Sequence, residues 1–310
     1  MMSLKVVSTF CNNLNNKNIM RLLYALPLLL LPAIVGAQTT PEKRSCKEWY
    51  DGFVEALDTV QPFSQLGYVD TMPLIREYLE EWEREKPQCA DWYTCNFNYH
   101  YRRAVLSTIT TSTKLPPYVD EAMTLTDSIG NTAGYLYQGY FINDSVQLDV
   151  AIDWLEQGLL HYPDRLDIWQ GEIMAFLYAD SIGGMMVLFD RLLAYNKQHT
   201  GVWLYANDTP GVEFTDPVDD PVTTTVQDRM YDLSLSGYHA EAMQLIDIAL
   251  KHYPSSPIFL NDKGVLYYQN GDYAQALVWI QKASKANPKD KLIKQNISYL
   301  KREMRKQNRK

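Results

Sequence analysis

The sequence predicts an all-α fold, an α-α superhelix of stacked antiparallel helix pairs, and three observations carry that prediction. A spacing of 34 residues recurs: it separates Gly237 from Gly271, Ala242 from Ala276, Ala249 from Ala283 and Pro254 from Pro288. Within each period the apolar and small residues stand three and four apart, which is the spacing of one helix face. A glycine divides the period and a proline closes it, a turn and a stop. One hairpin of this size cannot hide its apolar face, so it must stack on neighbours.

The first 37 residues stand outside that pattern. Arg21 precedes LLYALPLLLLPAIVGA, an apolar run of 16 residues ending with Val35 and Ala37 at the small-residue positions of a signal-peptidase site. The run is too short and wrongly flanked for a membrane span. Residues 1–37 are therefore expected to be a signal peptide, with Met20 as the true start, and the rest to be exported without a membrane-spanning segment. No cysteine follows the run directly, which argues against a lipid anchor.

Charge and composition narrow the function classes. With 46% hydrophobic and 21% charged residues the chain has the balance of a globular protein, not a disordered or fibrous one. Residues 1–37 hold three basic and no acidic side chains, so their removal takes the net charge from −8 to −11. Lys282–Lys310 carries eleven Lys or Arg against Asp290 and Glu303, which leaves a strongly acidic body. An exported, acidic chain with one basic helical end is not expected to bind nucleic acid.

Residues 38–131 read as an irregular helical region. Lys47–Thr59 suits a helix, Pro73 opens a second through MPLIREYLEEWERE, and Cys89–Thr110 reads as one long aromatic-rich helix broken by KLPPY. Cys46, Cys89 and Cys95 follow the signal, an odd number, so one disulfide and one buried thiol are expected, with Cys46–Cys89 and Cys89–Cys95 both open. Neither a CxxC pair nor a zinc-type Cys/His spacing occurs.

Residues 132–199 and 223–290 each read as two 34-residue units. Thr132–Arg165 offers Tyr135, Gly139, Ile142, Ala151, Leu155, Gly158 and Pro163; Leu166–His199 follows in phase with Trp169, Phe176 and Phe189, while Ile173 and Met185 replace the small residues. Thr223–Ser256 keeps Ala242, Ile246, Ala249 and Pro254 but has Met230 in place of glycine. The most regular unit is Pro257–Asp290, with Leu260, Gly264, Tyr267, Ala276, Ile280, Ala283 and Pro288. Between the pairs, residues 200–222 form an inserted loop with Asp208, Glu213, Asp216, Asp219 and Asp220, too rich in proline and glycine for a helix. It lacks the spacing of a calcium loop. Residues 291–310 read as a basic capping helix or tail.

The residues of Pro257–Asp290 resemble the tetratricopeptide repeat, a helix–turn–helix unit with a large residue at place 4, glycine at 8, tyrosine at 11, alanine at 20, an aromatic at 24, alanine at 27 and proline at 32. They depart from it at place 24, where Ile280 replaces the aromatic. FNYHYR and YPDRLDIWQGEI, together with the repeats, look like exported tetratricopeptide proteins of Gram-negative bacteria, which implies the periplasm or cell envelope. The resemblance implies a non-enzymatic module that holds a protein or peptide partner in the groove formed by the first helix of each unit. Outward places 5, 9 and 12 of such repeats contact ligand; here they are Asn261, Val265 and Tyr268, and Gln227, Tyr231 and Ser234 one unit earlier. Val265 is apolar, against an asparagine-type carboxylate clamp.

Twenty-two tyrosines and seven tryptophans are a heavy aromatic load. Repeat places 4, 11 and 24 explain Tyr135, Trp169, Phe176, Phe189 and Tyr267 as packing. Tyr99, Tyr101, Trp203 and Tyr205 have no such place and are expected on an exposed contact surface.

No catalytic, metal or cofactor site is expected. His100, His161, His199, His239 and His252 form no HExxH, and GxGxxG, GxxxxGKS and GxSxG are missing. His161 and His252 occupy the same repeat place before Tyr-Pro, a structural position at a helix end. Two rival readings stay open: an envelope enzyme such as a glycan hydrolase, with two carboxylates near the junction of the N-terminal region and the repeats, and a structural subunit of a surface assembly held through the basic C-terminal helix.

Overall fold

The computed structural model describes residues 44–59, 72–85, 89–119, 121–210 and 220–307. The expected signal peptide and the acidic residues Glu213, Asp216 and Asp219 lie outside them. Among the described residues the chain runs α1 (Cys46–Thr59), α2 (Met72–Glu85), α3 (Ala90–Ala104), β1 (Val105–Ser112), β2 (Ala122–Thr126), β3 (Thr132–Ile142), α4 (Ser145–His161), α5 (Leu166–Tyr178) and α6 (Ile182–Asn196). After a short β4–β5 ribbon (Leu204–Tyr205 and Thr209–Pro210) follow α7 (Pro221–Leu235), α8 (His239–His252), α9 (Pro257–Gln269), α10 (Tyr273–Ala286) and α11 (Lys291–Gln307). No described helix is long and apolar enough to cross a membrane.

The 34-residue period is a period of helix ends. Side chains of Asp220, Ser256 and Asp272 accept the backbone N–H three residues on at the starts of α7, α9 and α10, so orphan donors are satisfied there. Proline fills the first turn of α7 and α9, where a missing N–H costs nothing. Three hairpin turns close the same way: the amides of Ser181, Tyr238 and Asp272 each donate to the carbonyl five residues back, at 2.8, 2.7 and 2.9 Å. The residue before each of them is left-handed: Asp180 at φ 53°, Gly237 at 76° and Gly271 at 81°. Ser181 and Tyr238 stand 57 residues apart, 23 more than the period, and the inserted stretch 200–222 is 23 residues long.

Close approach inside the α9–α10 hairpin depends on Gly264. A β-carbon there would lie 3.0 Å from the Ala276 carbonyl oxygen and collide with Ile280, and Ala276, Ile280 and Ala283 are buried against it. Small residues at these places let the helices touch along their backbones, as the repeat predicts.

Residues 132–142 depart from the expectation. They form the central strand of a sheet ordered β1–β3–β2, not the first helix of a repeat. Val105↔Ile142 through Ser112↔Tyr135 pair β1 with β3, and Ala122↔Tyr137 starts the β2–β3 pairing. The physical reason is pairing: VLSTITTS and TAGYLYQGYFI are runs of β-branched and aromatic residues that favour the pleated state once they lie against one another. The long helix expected over Cys89–Thr110 accordingly ends at Ala104. The apolar places read for the second half of that unit hold, with Ala151, Leu155 and Gly158 buried on α4. The partner of α4 is α3: a Gly158 β-carbon would meet Tyr93 at 3.1 Å. The Ala104 carbonyl accepts from the amides of Asn143 and Asp144 at 2.8 and 3.1 Å, so the chain leaves and re-enters the hairpin at one point. The sheet is an insertion into a helical hairpin, inside an otherwise helical stack.

Two cores meet in that hairpin. One runs through α5–α9 and contains Trp169, Phe189, Met230, Ile246 and Phe259. The other joins α1, α2 and α3 through Trp49, Phe53, Trp82 and Trp92, with the Trp49 and Trp82 rings stacked at 5.8 Å. Burying each such side chain contributes about 2–3 kcal/mol. Cys46 and Cys89 form a disulfide that ties α1 to the start of α3, while Cys95 stays free and buried, its thiol pushed up by burial. The expected single disulfide with one buried thiol is thus present.

Candidate functional site

The hairpins put first helices α5, α7, α9 and α11 beside one another, and most of their cross-links join uncharged donors and acceptors. Gln170 Nε2 donates to Thr225 Oγ1 at 3.0 Å, joining α5 to α7. Ser234 Oγ donates to Gln269 Oε1 at 2.7 Å, and Gln227 Nε2 to Asp262 Oδ2 at 2.8 Å, joining α7 to α9. Asn296 Nδ2 donates to Asn261 Oδ1 at 3.0 Å and the Tyr268 and Tyr299 hydroxyls lie 2.8 Å apart, joining α9 to α11. Asp262 is the ionisable member of the set: burial pushes its carboxyl up to about 7, while Gln227 and Tyr231 donate to it.

Second helices are tied differently. Arg191 on α6 grips Glu156 on α4 with two hydrogen bonds of 2.6 and 2.8 Å, and Asp190 on α6 accepts from Lys251 and pairs with His252 on α8 at 3.1 and 2.6 Å. His252 therefore has a structural partner at a helix end, as its repeat place suggests. One layer is held by charge pairs at a wet surface, the other mostly by neutral polar pairs, with Arg229 on α7 donating to Met174 Sδ on α5 at 3.4 Å.

The six repeat-derived residues all lie on α7 and α9, and most are already engaged. Ser234 and Asn261 are buried and bonded to the next helix, Gln227 and Tyr231 reach Asp262, and Tyr268 reaches Tyr299. Val265 is half-buried beside them. What stays accessible is the half-buried aromatic group Tyr268, Tyr273 and Tyr299, with ring centroids 5.4 and 5.5 Å from Tyr268.

Trp203 and Tyr205 lie elsewhere, and the expectation of an exposed aromatic surface does not hold. Trp203 is 5% exposed, donates from Nε1 to Asn196 Oδ1 at 3.2 Å and packs on Tyr195 and His199; Tyr205 is half-buried against the main core. Tyr99 is 4% exposed and Tyr101 half-buried. Residues 200–210 of the inserted stretch lie along the stack, since the Leu204 amide donates to the Asp164 carbonyl at 2.9 Å.

The feature that sequence reasoning missed is the ion cluster under this ribbon. Arg165, wholly buried, donates to Asp91 at 2.7 Å, to Asp167 at 2.8 and 2.9 Å and to Asp208 at 3.1 Å. The Asn207 amide also donates to both Asp91 oxygens at 3.2 Å. Asp91 and Arg165 are 74 residues apart, and no local spacing announces their meeting.

A second missed feature is Glu172 on α5, fully buried with neither carboxyl oxygen hydrogen-bonded. Burial and the neighbouring Glu156 charge push its carboxyl up to about 8, whereas Arg191 holds Glu156 below the usual range. Glu172 therefore favours its protonated form beside Glu156 and is closed to water. Among the described residues no cluster of three or more His, Cys, Asp or Glu could hold a metal ion.

Hairpins with this closure, this glycine–alanine contact and this side-by-side order make an α-α superhelix of stacked antiparallel helix pairs. No family model matches the chain, and no curated protein matches it. Among solved structures it is similar to MamA (residues 41 to the end) from Desulfovibrio magneticus RS-1, at 12% identity over 50% of this chain and 74% of that one, TM-score 0.28. It is also similar to the Sgt2 tetratricopeptide domain from Aspergillus fumigatus, at 17% identity, 46% and 82% coverage and TM-score 0.30. YrrB, described as a tetratricopeptide protein with an unusual peptide-binding site, is similar at 12% identity, 79% and 88% coverage and TM-score 0.31. The class assignment rests on the hairpins of this chain.

Proposed function

We propose that this chain is an exported, non-catalytic interaction module whose first-helix layer receives an extended segment of a protein partner in the cell envelope. The observation that carries the reading is the largely uncharged cross-linking of α5, α7, α9 and α11, which fixes four helices side by side and leaves Tyr268 on α9, Tyr299 on α11 and Tyr273 at the start of α10 grouped together. Rigid tyrosines at a helical surface are favoured contact anchors, because they offer area at little entropic cost. Export is supported by the apolar run ending at Ala37 and by the Cys46–Cys89 disulfide, a bond that persists in oxidising compartments. The non-catalytic reading is supported by Glu156 and Glu172: these neighbouring carboxylates do not flank a cleft, since one is gripped by Arg191 and the other is sealed from water.

Peptide display on the immobilised full chain tests the reading. Selected peptides should bind at least tenfold more weakly to Tyr268→Ala and Val265→Lys, and equally well to Val278→Lys on the exposed side of α10. Peptides indifferent to positions 265 and 268, or lost equally with Val278→Lys, would overturn it.

A further inference from the structure

A cleft of about 240 Å³ opens between α2, α3 and α4, away from the first-helix layer. Its walls include Leu79, Trp92 and Tyr99, all buried, and the half-buried Trp154, whose ring stands edge-to-face with Trp92 at 4.8 Å and 84°. The charged residues that border it, Arg76, Glu80, Glu83 and Arg103, are exposed. Arg76 and Glu80 neutralise one another at 2.8 Å, and Arg103 donates to the Tyr99 hydroxyl at 2.8 Å.

Two polar groups complete the lining, and each is fixed by one hydrogen bond. Asn96, 7% exposed, donates from Nδ2 to the Trp92 carbonyl at 2.8 Å, which leaves Oδ1 as an acceptor. His100 Nδ1 lies 2.9 Å from Gln147 Oε1, an oxygen that only accepts, so Nδ1 carries the proton. Burial holds this imidazole below its ordinary range and therefore neutral, leaving Nε2 as a second acceptor.

We infer that this cleft binds one uncharged sugar ring, with the ring's C–H face on Trp154 and its hydroxyls donating to Asn96 Oδ1 and His100 Nε2. The chemistry excludes the alternatives in turn. A charged ligand would be stripped of water with no buried counter-charge to receive it. A wholly apolar ligand would leave both acceptors dry and unpaired. A polyhydroxylated ring supplies donors and an apolar face together. The volume lies below the roughly 300–1,000 Å³ of sites for drug-sized ligands, which suits a single ring.

Tryptophan-fluorescence and saturation-transfer NMR titrations of the full chain with glucose, galactose and N-acetylglucosamine test the assignment, with glucuronate, glucosamine and cyclohexanol as controls. At least one neutral sugar should saturate, and bind tenfold or more weakly to Trp154→Ala and to His100→Ala; the controls should not bind. Circular dichroism of each variant reports folding, and if Trp154→Ala unfolds, His100→Ala decides. Absence of saturable binding by all three sugars, unchanged affinity in a folded His100→Ala, or preference for glucuronate or cyclohexanol would overturn the assignment.

Discussion

Arg165 donates through Nη2 to Asp91 Oδ1 at 2.7 Å, and both side chains are withdrawn from water. The pair locks the start of α3 to the start of α5, and Asn207 is hung from the same carboxylate. Arg165 also holds Asp167 and Asp208, whereas Asp91 has Arg165 as its counter-charge. Removing Arg165 thus strands a buried carboxylate, which costs about 3–5 kcal/mol, and replacing both with apolar residues costs much less. Arg165→Met should therefore lose about 3 kcal/mol in chemical denaturation, and Asp91→Leu/Arg165→Met should recover most of it. Equal losses in the single and double variants would show that the charges are not coupled.

Glu172 makes stability depend on pH in a definite direction. Its folded carboxyl is raised to about 8 from an ordinary 4.5, first by burial and then by Glu156. A raised acid contributes stability that is fully present below its unfolded value and is lost as pH rises through its folded value. Relative to Glu172→Gln, the natural chain should weaken by up to about 1.4 kcal/mol per pH unit between those two values. Parallel urea titrations of the two proteins across that range check it; a constant difference would contradict the buried, protonated state.

The three equivalent turns differ at one atom group. Gly237 and Gly271 take the left-handed conformation freely, while Asp180 takes it with a β-carbon. Asp180→Gly should therefore stabilise the chain by up to about 1 kcal/mol and Gly271→Ala should destabilise it by about 1–2 kcal/mol. Thermal melts give both signs in one experiment, and a destabilising Asp180→Gly would refute the shared closure.

The sheet is removable if it is an insertion. The Asn143 and Asp144 amides already meet the Ala104 carbonyl, so a short glycine–serine linker can replace residues 106–141. The cost is the packing of Tyr118 and Tyr140 on Tyr178, with ring centroids 5.0 and 4.6 Å away, and of Lys114 on the Tyr238 ring at 3.6 Å. Far-ultraviolet circular dichroism of that variant should show helical content retained and one cooperative transition a few degrees lower. Loss of cooperativity would make the sheet a part of the core.

Much of the C-terminal half is legible in the sequence because its information is local. Gly237, Gly271, Asp272 and Pro288 act within one turn of themselves, and Gly264 meets Ala276 only twelve positions on. Even the 23-residue insertion shows as a break in phase. The α3–α4 hairpin was hidden for the opposite reason. Tyr135, Gly139 and Ile142 fall by coincidence at repeat places, while strand formation depended on pairing with residues 105–112 and 122–126. The six repeat-derived residues fall on first helices, whereas Trp203 and Tyr205 fall on the ribbon, and the bonds to the next helix, such as Gln227 to Asp262, depend on how hairpins stack. Burial of Tyr99 and Trp203 likewise follows from α2–α4 and from the ribbon packing, which no single segment encodes.

Position-specific photo-crosslinking in cells that produce the full chain tests the central claim most directly. A crosslinker at position 268, on the first-helix layer, should yield one discrete protein adduct, and the same crosslinker at position 278, on the second-helix layer, should yield none. Equal adducts from both positions, or an adduct from 278 alone, would contradict the account.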